Sequence, residues 1–144
     1  MADTAEVLAT FPVIVRQPIV WGDMDSYRHV NNVVYFRYFE NARLEYFKQM
    51  GWFEYEAKTG IGPILAATSA RFRRALTYPD DIAIAARVVD VQEDRLSLEH
   101  VIVSAAQRQV VTYGTGLIVA YDYAKGTKTA LPEELRQRIR ELES

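Results

Sequence analysis

The stretch Trp21–Gly51, WGDMDSYRHVNNVVYFRYFENARLEYFKQMG, places a turn and a helix start side by side. It carries Asp23 and Asp25 in a Gly-containing turn, then Asn31-Asn32, then the one long segment with clear helical periodicity. With Tyr35 as origin and about 100° per residue, Tyr35, Phe39, Ala42, Tyr46 and Met50 fall on one side, with Phe36 and Phe47 at its edge. Arg37, Asn41, Glu45, Lys48 and Gln49 lie roughly opposite, the pattern of a helix packed on one side and wet on the other. Asn31 or Asn32 suits the N-cap, where a side-chain oxygen accepts from free backbone N–H groups, and Gly51 suits the left-handed position past the end. Two residues interrupt the pattern: Arg43 projects among Phe36, Phe47 and Met50, and Glu40 borders the same stripe. Three apart, they are predicted to form a partly buried ion pair; the alternative makes Glu40 an acid or base in a cleft.

The 144 residues, 49% hydrophobic and 25% charged, suit a single domain over residues 1–144 with one core. A net charge of −2 gives no general attraction for nucleic acid or an anionic membrane. No apolar run approaches the roughly 18 residues of a membrane span. MADTAEVLAT lacks the basic start of a secretory signal, so residues 1–10 read as a frayed leader on a cytoplasmic protein. The absence of cysteine removes thiolate chemistry and cysteine-based metal sites, and His29 and His100 lack the spacing of a helical zinc site, so no metal is expected. Chemistry must come from carboxylates, hydroxyls and backbone dipoles.

Taken in order, Phe11–Val20 is β-branched but holds Pro12 and Pro18, which cannot donate to a ladder, so it is an edge or terminal strand. WFEYEAKTGIG after the long helix has no sustained period and reads as a loop with at most one helical turn. From Pro63 the period is two, with Ile64, Ala66, Thr68, Ala70 and Phe72 on one face. Arg71, Arg73 and Arg74 concentrate charge at that strand's end, and Tyr78-Pro79-Asp80-Asp81 signals a turn. Strands over Ile82–Val91, Arg95–Ala105 and Val110–Tyr123 follow, all four long strands being expected to form a meander. Gly114 and Gly116 fit a close approach of another backbone to the last strand. Leu131–Leu142 closes the chain as a charged helix with Pro132 near its first position. One amphipathic helix does not cover both faces of such a sheet, which implies a wrapped helix and an oligomer.

This order, with Trp21-Gly22-Asp23-Met24-Asp25, His29-Val30-Asn31-Asn32, Tyr35 and Glu40-Asn41-Ala42-Arg43, resembles the hotdog-fold acyl-CoA thioesterases, in the branch like 4-hydroxybenzoyl-CoA thioesterase. The element order matches from about Phe11 to Leu142, and the specific motif is confined to residues 21–43. The resemblance implies an α+β hotdog fold, an antiparallel sheet of about five strands wrapped around one long central helix, plus a C-terminal helix. It further implies subunits joined edge to edge as a homodimer or homotetramer, with active sites at the interface. Asp25 is then the catalytic carboxylate, and the amide near Asn32 polarises the carbonyl of an acyl-CoA substrate, with no further cofactor. Members with an Asp-Pro-Ala-Gly turn differ from Asp25-Ser26-Tyr27-Arg28, so the pocket differs too.

The residues themselves agree. Helix N-terminal N–H groups stabilise an oxygen that gains charge under attack. A carboxylate in the adjoining turn can attack the carbonyl or take a proton from water, and the sequence leaves both routes open. Asp23 reads as a turn-former and His29 as a hydrogen-bonding turn residue or a polarising group. His100 reads as a satisfied sheet-face residue. Tyr35 is a further candidate at the site. Arg73 and Arg74, with Arg71, either cap a solvated strand end or contact the coenzyme A phosphates. Two rival functions remain: a hydratase or dehydratase using Asp25 and His29, and a non-catalytic acyl-CoA sensor, against which Asp25 argues.

Overall fold

A computed structural model describes residues 3–144. Its elements are α1 (Thr4–Leu8), β1 (Val13–Pro18), a 3-10 turn (Trp21–Asp23), α2 (Asn32–Gln49) and α3 (Trp52–Thr59), followed by β2 (Ile61–Phe72), β3 (Asp81–Val91), β4 (Arg95–Ser104), β5 (Gln109–Asp122), β6 (Thr127–Lys128) and α4 (Glu133–Glu143). The fold is the hotdog: five antiparallel strands in the order β1-β3-β4-β5-β2 curl around α2, and β6 adds a short pair to β5.

The 18 residues of α2 begin and end where the sequence signs them. Asn31 is the N-cap, its Oδ1 accepting from the Val33 N–H at 3.0 Å, and Gly51 turns the chain with φ 76°. The whole stripe from Tyr35 to Met50 is buried, and so is Phe47. Tyr38 and Arg43 are buried as well, because the sheet encloses more of the helix than a single packed side. On β5, Gly114 leaves the space that the Phe39 ring fills, and the Arg43 side chain lies over Gly116. It is thus helix side chains, not a second backbone, that approach these glycines.

Several expectations need correction. Thr4–Leu8 forms a helix capped by Asp3 where a frayed leader is expected; Leu8 and Phe11 pack on the outer face of the sheet against Ala83, Ala85, Val101 and Val103. Met1 and Ala2 lie outside the described residues. Trp52–Thr59 is a full helix rather than a loop. Left-handed glycines bound it at Gly51 and Gly60, and the buried Trp52 donates its indole N–H to the Ile61 carbonyl. Eight residues hold too few turns for a period to emerge.

The meander is confined to β3, β4 and β5. β2 pairs with β5 and forms the far edge of the sheet. The link Arg73–Asp80 instead carries the chain past the start of α2, where Leu76 is its buried anchor. A bulge between Leu65 and Ala67 also exchanges the faces of β2, so Leu65, Thr68, Ala70 and Phe72 pair opposite inward-facing residues of β5.

The predicted Glu40–Arg43 ion pair is absent: Glu40 meets Arg37 at 3.7 Å on the exposed side, and Arg43 is buried without an ion pair among the described residues. Burial lowers the Arg43 pKa, while the nearby charge of Glu40 acts in the opposite direction.

His100 lies on a sheet face but is only half satisfied: it is buried, with Nδ1 3.1 Å from the Ala85 carbonyl and its ring stacked on Phe39 at 5.2 Å. Its Nε2 has no partner among the described residues. Burial lowers its pKa from 6.5 to about 4, helped by the Arg43 charge and opposed by the Ala85 hydrogen bond. The unfolded chain therefore binds this proton before the folded one does. The stability His100 contributes is fully present above about pH 6.5 and falls as pH drops through the window towards 4, by an amount on the order of 3 kcal/mol once the pH is below 4. In denaturant melts, wild type should lose stability over that window more steeply than His100→Gln, which cannot titrate.

Candidate active site

The turn before α2 is built by backbone hydrogen bonds that force it tight. The Asp25 N–H donates to the His29 carbonyl and the Arg28 N–H to the Asp25 carbonyl, both at 3.0 Å, while Met24 and Val30 form an isolated antiparallel bridge. Closing the loop puts Arg28 at φ 63°, a left-handed conformation uncommon for a side chain of its size. The Arg28 carbonyl is held by the Thr77 hydroxyl at 2.9 Å. The Val30 N–H donates to the Leu76 carbonyl at 2.8 Å, and the Leu76 N–H donates to the Tyr35 hydroxyl at 3.1 Å. Leu76 is thus a strut between turn, helix and the β2–β3 link.

The two acids of the turn have different environments. Asp23 is half-buried; its Oδ2 accepts from the Tyr38 hydroxyl at 2.8 Å, and its carbonyl accepts from the Asn31 N–H at 3.0 Å. Burial raises the Tyr38 pKa, and the Asp23 carboxylate raises it further. Asp25 is exposed. Its Oδ1 accepts from the Tyr27 N–H at 2.9 Å, and its Oδ2 has no hydrogen-bond partner among the described residues.

At the helix start, Asn31 takes the Val33 N–H on its side chain and the Val34 N–H on its carbonyl. The Asn32 N–H, at the first helical position, has no acceptor within the helix. Asp25, Tyr27, His29, Asn31, Asn32 and Tyr35 line one groove of about 450 Å3 with Phe72, Arg73 and Arg74. Asp25, Asn32, Arg73 and Arg74 therefore line one concavity, and the Asp25 Oδ2 and the Asn32 N–H have no partner among the described residues, an arrangement suited to an ester-like carbonyl carried on an anionic ligand.

The predicted residues Asp25, His29, Asn32, Tyr35, Arg73 and Arg74 are brought together; Glu40 and Arg71 are not. Glu40 lies beyond the groove on the exposed flank of α2. Arg71 is still within β2 and lines a separate groove with Glu99 and Tyr113. Arg73 and Arg74 have left the strand, both donating their N–H to the Val111 carbonyl, which turns them towards the helix start. The His29 imidazole makes no hydrogen bond among the described residues; its carbonyl carries the turn instead. Tyr35 contributes its hydroxyl to the Leu76 strut, and burial raises its pKa against the lowering effect of that hydrogen bond. Tyr38 and Phe72 were not legible as site residues, although Phe72, edge-on to Tyr35 at 4.9 Å, forms the groove wall. Among the described residues no group of three or more His, Asp or Glu side chains is placed to hold a metal.

A family model described as the thioesterase-like superfamily matches residues 19–139. The long-chain acyl-CoA thioesterase FadM of Escherichia coli K12 is 24% identical over 119 residues, covering 83% of this chain and 90% of FadM. A thioesterase of Thermus thermophilus, solved with coenzyme A and zinc, superposes with a TM-score of 0.82 at 30% identity, over 93% of this chain and 96% of its own. A putative thioesterase of Pseudomonas aeruginosa gives 0.79 at 27% identity, over 90% and 98%.

The different settings of the two acids have separable consequences. Asp23→Ala should lower the unfolding free energy by about 1–3 kcal/mol, because it leaves the part-buried Tyr38 hydroxyl unpaired. Asp25→Asn should leave it within about 0.5 kcal/mol of wild type. Urea unfolding of the two variants reads this contrast directly.

Proposed function

The chain belongs to the thioesterase-like superfamily as a thioester hydrolase of the hotdog fold, and we propose that it hydrolyses acyl-CoA to a free acid and coenzyme A at the Asp25–Asn32 groove. The observation that carries this is the pairing of an uncommitted Asp25 Oδ2 with an uncommitted Asn32 N–H in the same concavity. The thioester oxygen takes the Asn32 N–H, where the positive end of the α2 dipole favours the charge that develops during attack. Asp25 supplies the attack by one of two routes. As nucleophile, its carboxylate oxygen bonds to the acyl carbon, the C–S bond breaks with the electron pair leaving on sulfur, and water hydrolyses the anhydride. As base, it removes a proton from the water that attacks the same carbon, the C–S bond breaks with the electron pair leaving on sulfur, and the proton held by Asp25 returns to the thiolate. Arg73 and Arg74 hold phosphates of the coenzyme A moiety at the lip.

In this reading the substrate brings the coenzyme A and no other cofactor is needed. The protein works in the cytoplasm as a homodimer or paired-dimer tetramer joined through β2. That edge strand supports self-pairing, since Leu65–Ser69 are exposed along it. No described helix is long and apolar enough to cross a membrane. FadM, by its name, acts on long-chain acyl-CoA, so a chain-length series including one aromatic member is the first assay.

Thiol release from the best substrate should fall on the order of 10²- to 10⁴-fold in Asp25→Asn. A variant that folds and binds yet keeps the wild-type rate contradicts the proposal. Arg73→Ala or Arg74→Ala should chiefly raise KM, with kcat little changed, and should leave short acyl thioesters lacking the nucleotide unaffected. Loss of kcat at constant KM would remove these residues from phosphate binding.

A further inference from the structure

A second groove, of about 860 Å3, lies on the outer face of the sheet, away from α2, and strand register builds it. Val101 packs on that face with Phe11. Tyr113 stands directly opposite Val101, and Arg71 directly opposite Tyr113, so one row of side chains runs from β4 across β5 to the edge strand β2. In the neighbouring row Ser69 stands opposite Thr115, and their hydroxyls bond to one another. The Tyr113 side chain is 44% exposed, and its hydroxyl makes no hydrogen bond among the described residues. Of the charged groups on the groove, Arg87 and Glu99 satisfy each other at 2.8 Å, and Glu6 enters from α1. Arg71 has neither an ion pair nor a side-chain hydrogen bond among the described residues.

This groove adjoins the candidate active site. Arg71 lines the outer groove, and the next two residues, Phe72 and Arg73, line the catalytic one, so the two concavities meet where β2 ends. Because β2 is the edge of the sheet, a ligand passes from one to the other around the strand end without breaking the ladder. Coenzyme A carries a diphosphate and a further phosphate on the ribose 3′ oxygen. Arg73 and Arg74 stand on the catalytic side for the diphosphate, which leaves the 3′-phosphate and the adenine unmatched there. Arg71 and Arg73 are two residues apart, roughly 7 Å of extended chain, a step that one ribose spans. The outer row then supplies what the nucleotide end lacks: a guanidinium for the phosphate, the Ser69 and Thr115 hydroxyls beside it, and an exposed aromatic ring for a purine.

We propose that the 3′-phosphoadenosine end of the substrate binds on the outer face of the sheet, with the phosphate on Arg71 and the adenine stacked on Tyr113. Both residues act on affinity and not on the chemical step, because they lie around the strand end from Asp25 and Asn32. The outer groove also separates coenzyme A from carriers that present phosphopantetheine alone, since those have nothing to place in it. The proposal rests on the acyl-CoA reading above and adds to it a site for the nucleotide.

Titration calorimetry of the full chain with coenzyme A, dephospho-coenzyme A and 4′-phosphopantetheine reads this without turnover, because none of the three is a thioester. Wild type should bind coenzyme A about 10-fold more tightly than the dephospho form, and the dephospho form about 10-fold more tightly than phosphopantetheine. In Arg71→Ala the first of these steps should vanish, and Arg71→Lys should restore part of it. In Tyr113→Ala the second step should vanish, and Tyr113→Phe should keep it. Both positions are exposed, and circular dichroism checks that each variant folds. The proposal is overturned if wild type binds coenzyme A and its dephospho form equally, or if Arg71→Ala still separates them. It is equally overturned if Tyr113→Ala still separates the dephospho form from phosphopantetheine. Wild type that binds all three alike refutes the outer groove alone, whereas wild type that binds none refutes the acyl-CoA reading and this proposal with it. Both steps present, with no thiol released from any acyl-CoA, would refute the hydrolysis and support the nucleotide site.

Discussion

The structure depends on enclosing one helix in a curled sheet while leaving its first turn outside. Burying α2 removes from water a stripe that runs from Tyr35 to Met50, the main apolar gain available to a chain of this size. The N-terminal N–H groups of such a helix need acceptors, and the chain supplies them unevenly. Asn31 takes those of Val33 and Val34, whereas the Asn32 N–H has no acceptor among the described residues, and Asn32 lines a groove. The turn that ends in this cap also fixes Asp25, because the hydrogen bonds that close it spend Oδ1 on Tyr27 and leave Oδ2 free.

Two neighbouring carboxylates thereby take separate tasks without any difference in residue type. Asp23, turned inward, bonds Tyr38 and joins the turn to α2. Asp25, turned outward, has only its own turn to satisfy. Leu76 couples this arrangement to the sheet: its backbone bonds both Val30 and Tyr35, so the link between β2 and β3 braces the turn and helix at once. The position of Arg73 and Arg74 follows from the same link, since leaving β2 after Phe72 swings both towards the helix start.

What the sequence made legible was mostly local. Asn31 and Gly51 announce the ends of α2 because capping and left-handed backbone are properties of a few consecutive residues. The resemblance of residues 21–43 pointed to the turn and the start of α2, whose residues line one groove, and periodicity placed the strands. Long-range choices were hidden. Nothing between Phe72 and Ile82 tells whether the chain makes a hairpin or crosses to the far side of the sheet, and it crosses. Helical periodicity assumes one wet side, so Tyr38, buried on a flank, went unassigned. Glu40 and Arg43 stand at a spacing that permits pairing, but Arg37 competes for Glu40 on the solvent side and Arg43 turns inward over Gly116. Arg71 resembles Arg73 in sequence and is separated from it by the end of a strand, which composition does not mark.

The central claim is that the free Asn32 N–H receives the thioester oxygen beside Asp25. A crystal structure with an acyl-CoA analogue in which the thioester sulfur is replaced by methylene tests it most directly, because the ketone keeps the oxygen and resists hydrolysis. The account predicts that oxygen within about 2.7–3.2 Å of the Asn32 nitrogen, with Asp25 facing the carbonyl carbon and the phosphates near Arg73 and Arg74. An analogue whose ketone lies away from the start of α2, with Asn32 and Asp25 both in contact with solvent alone, would contradict it.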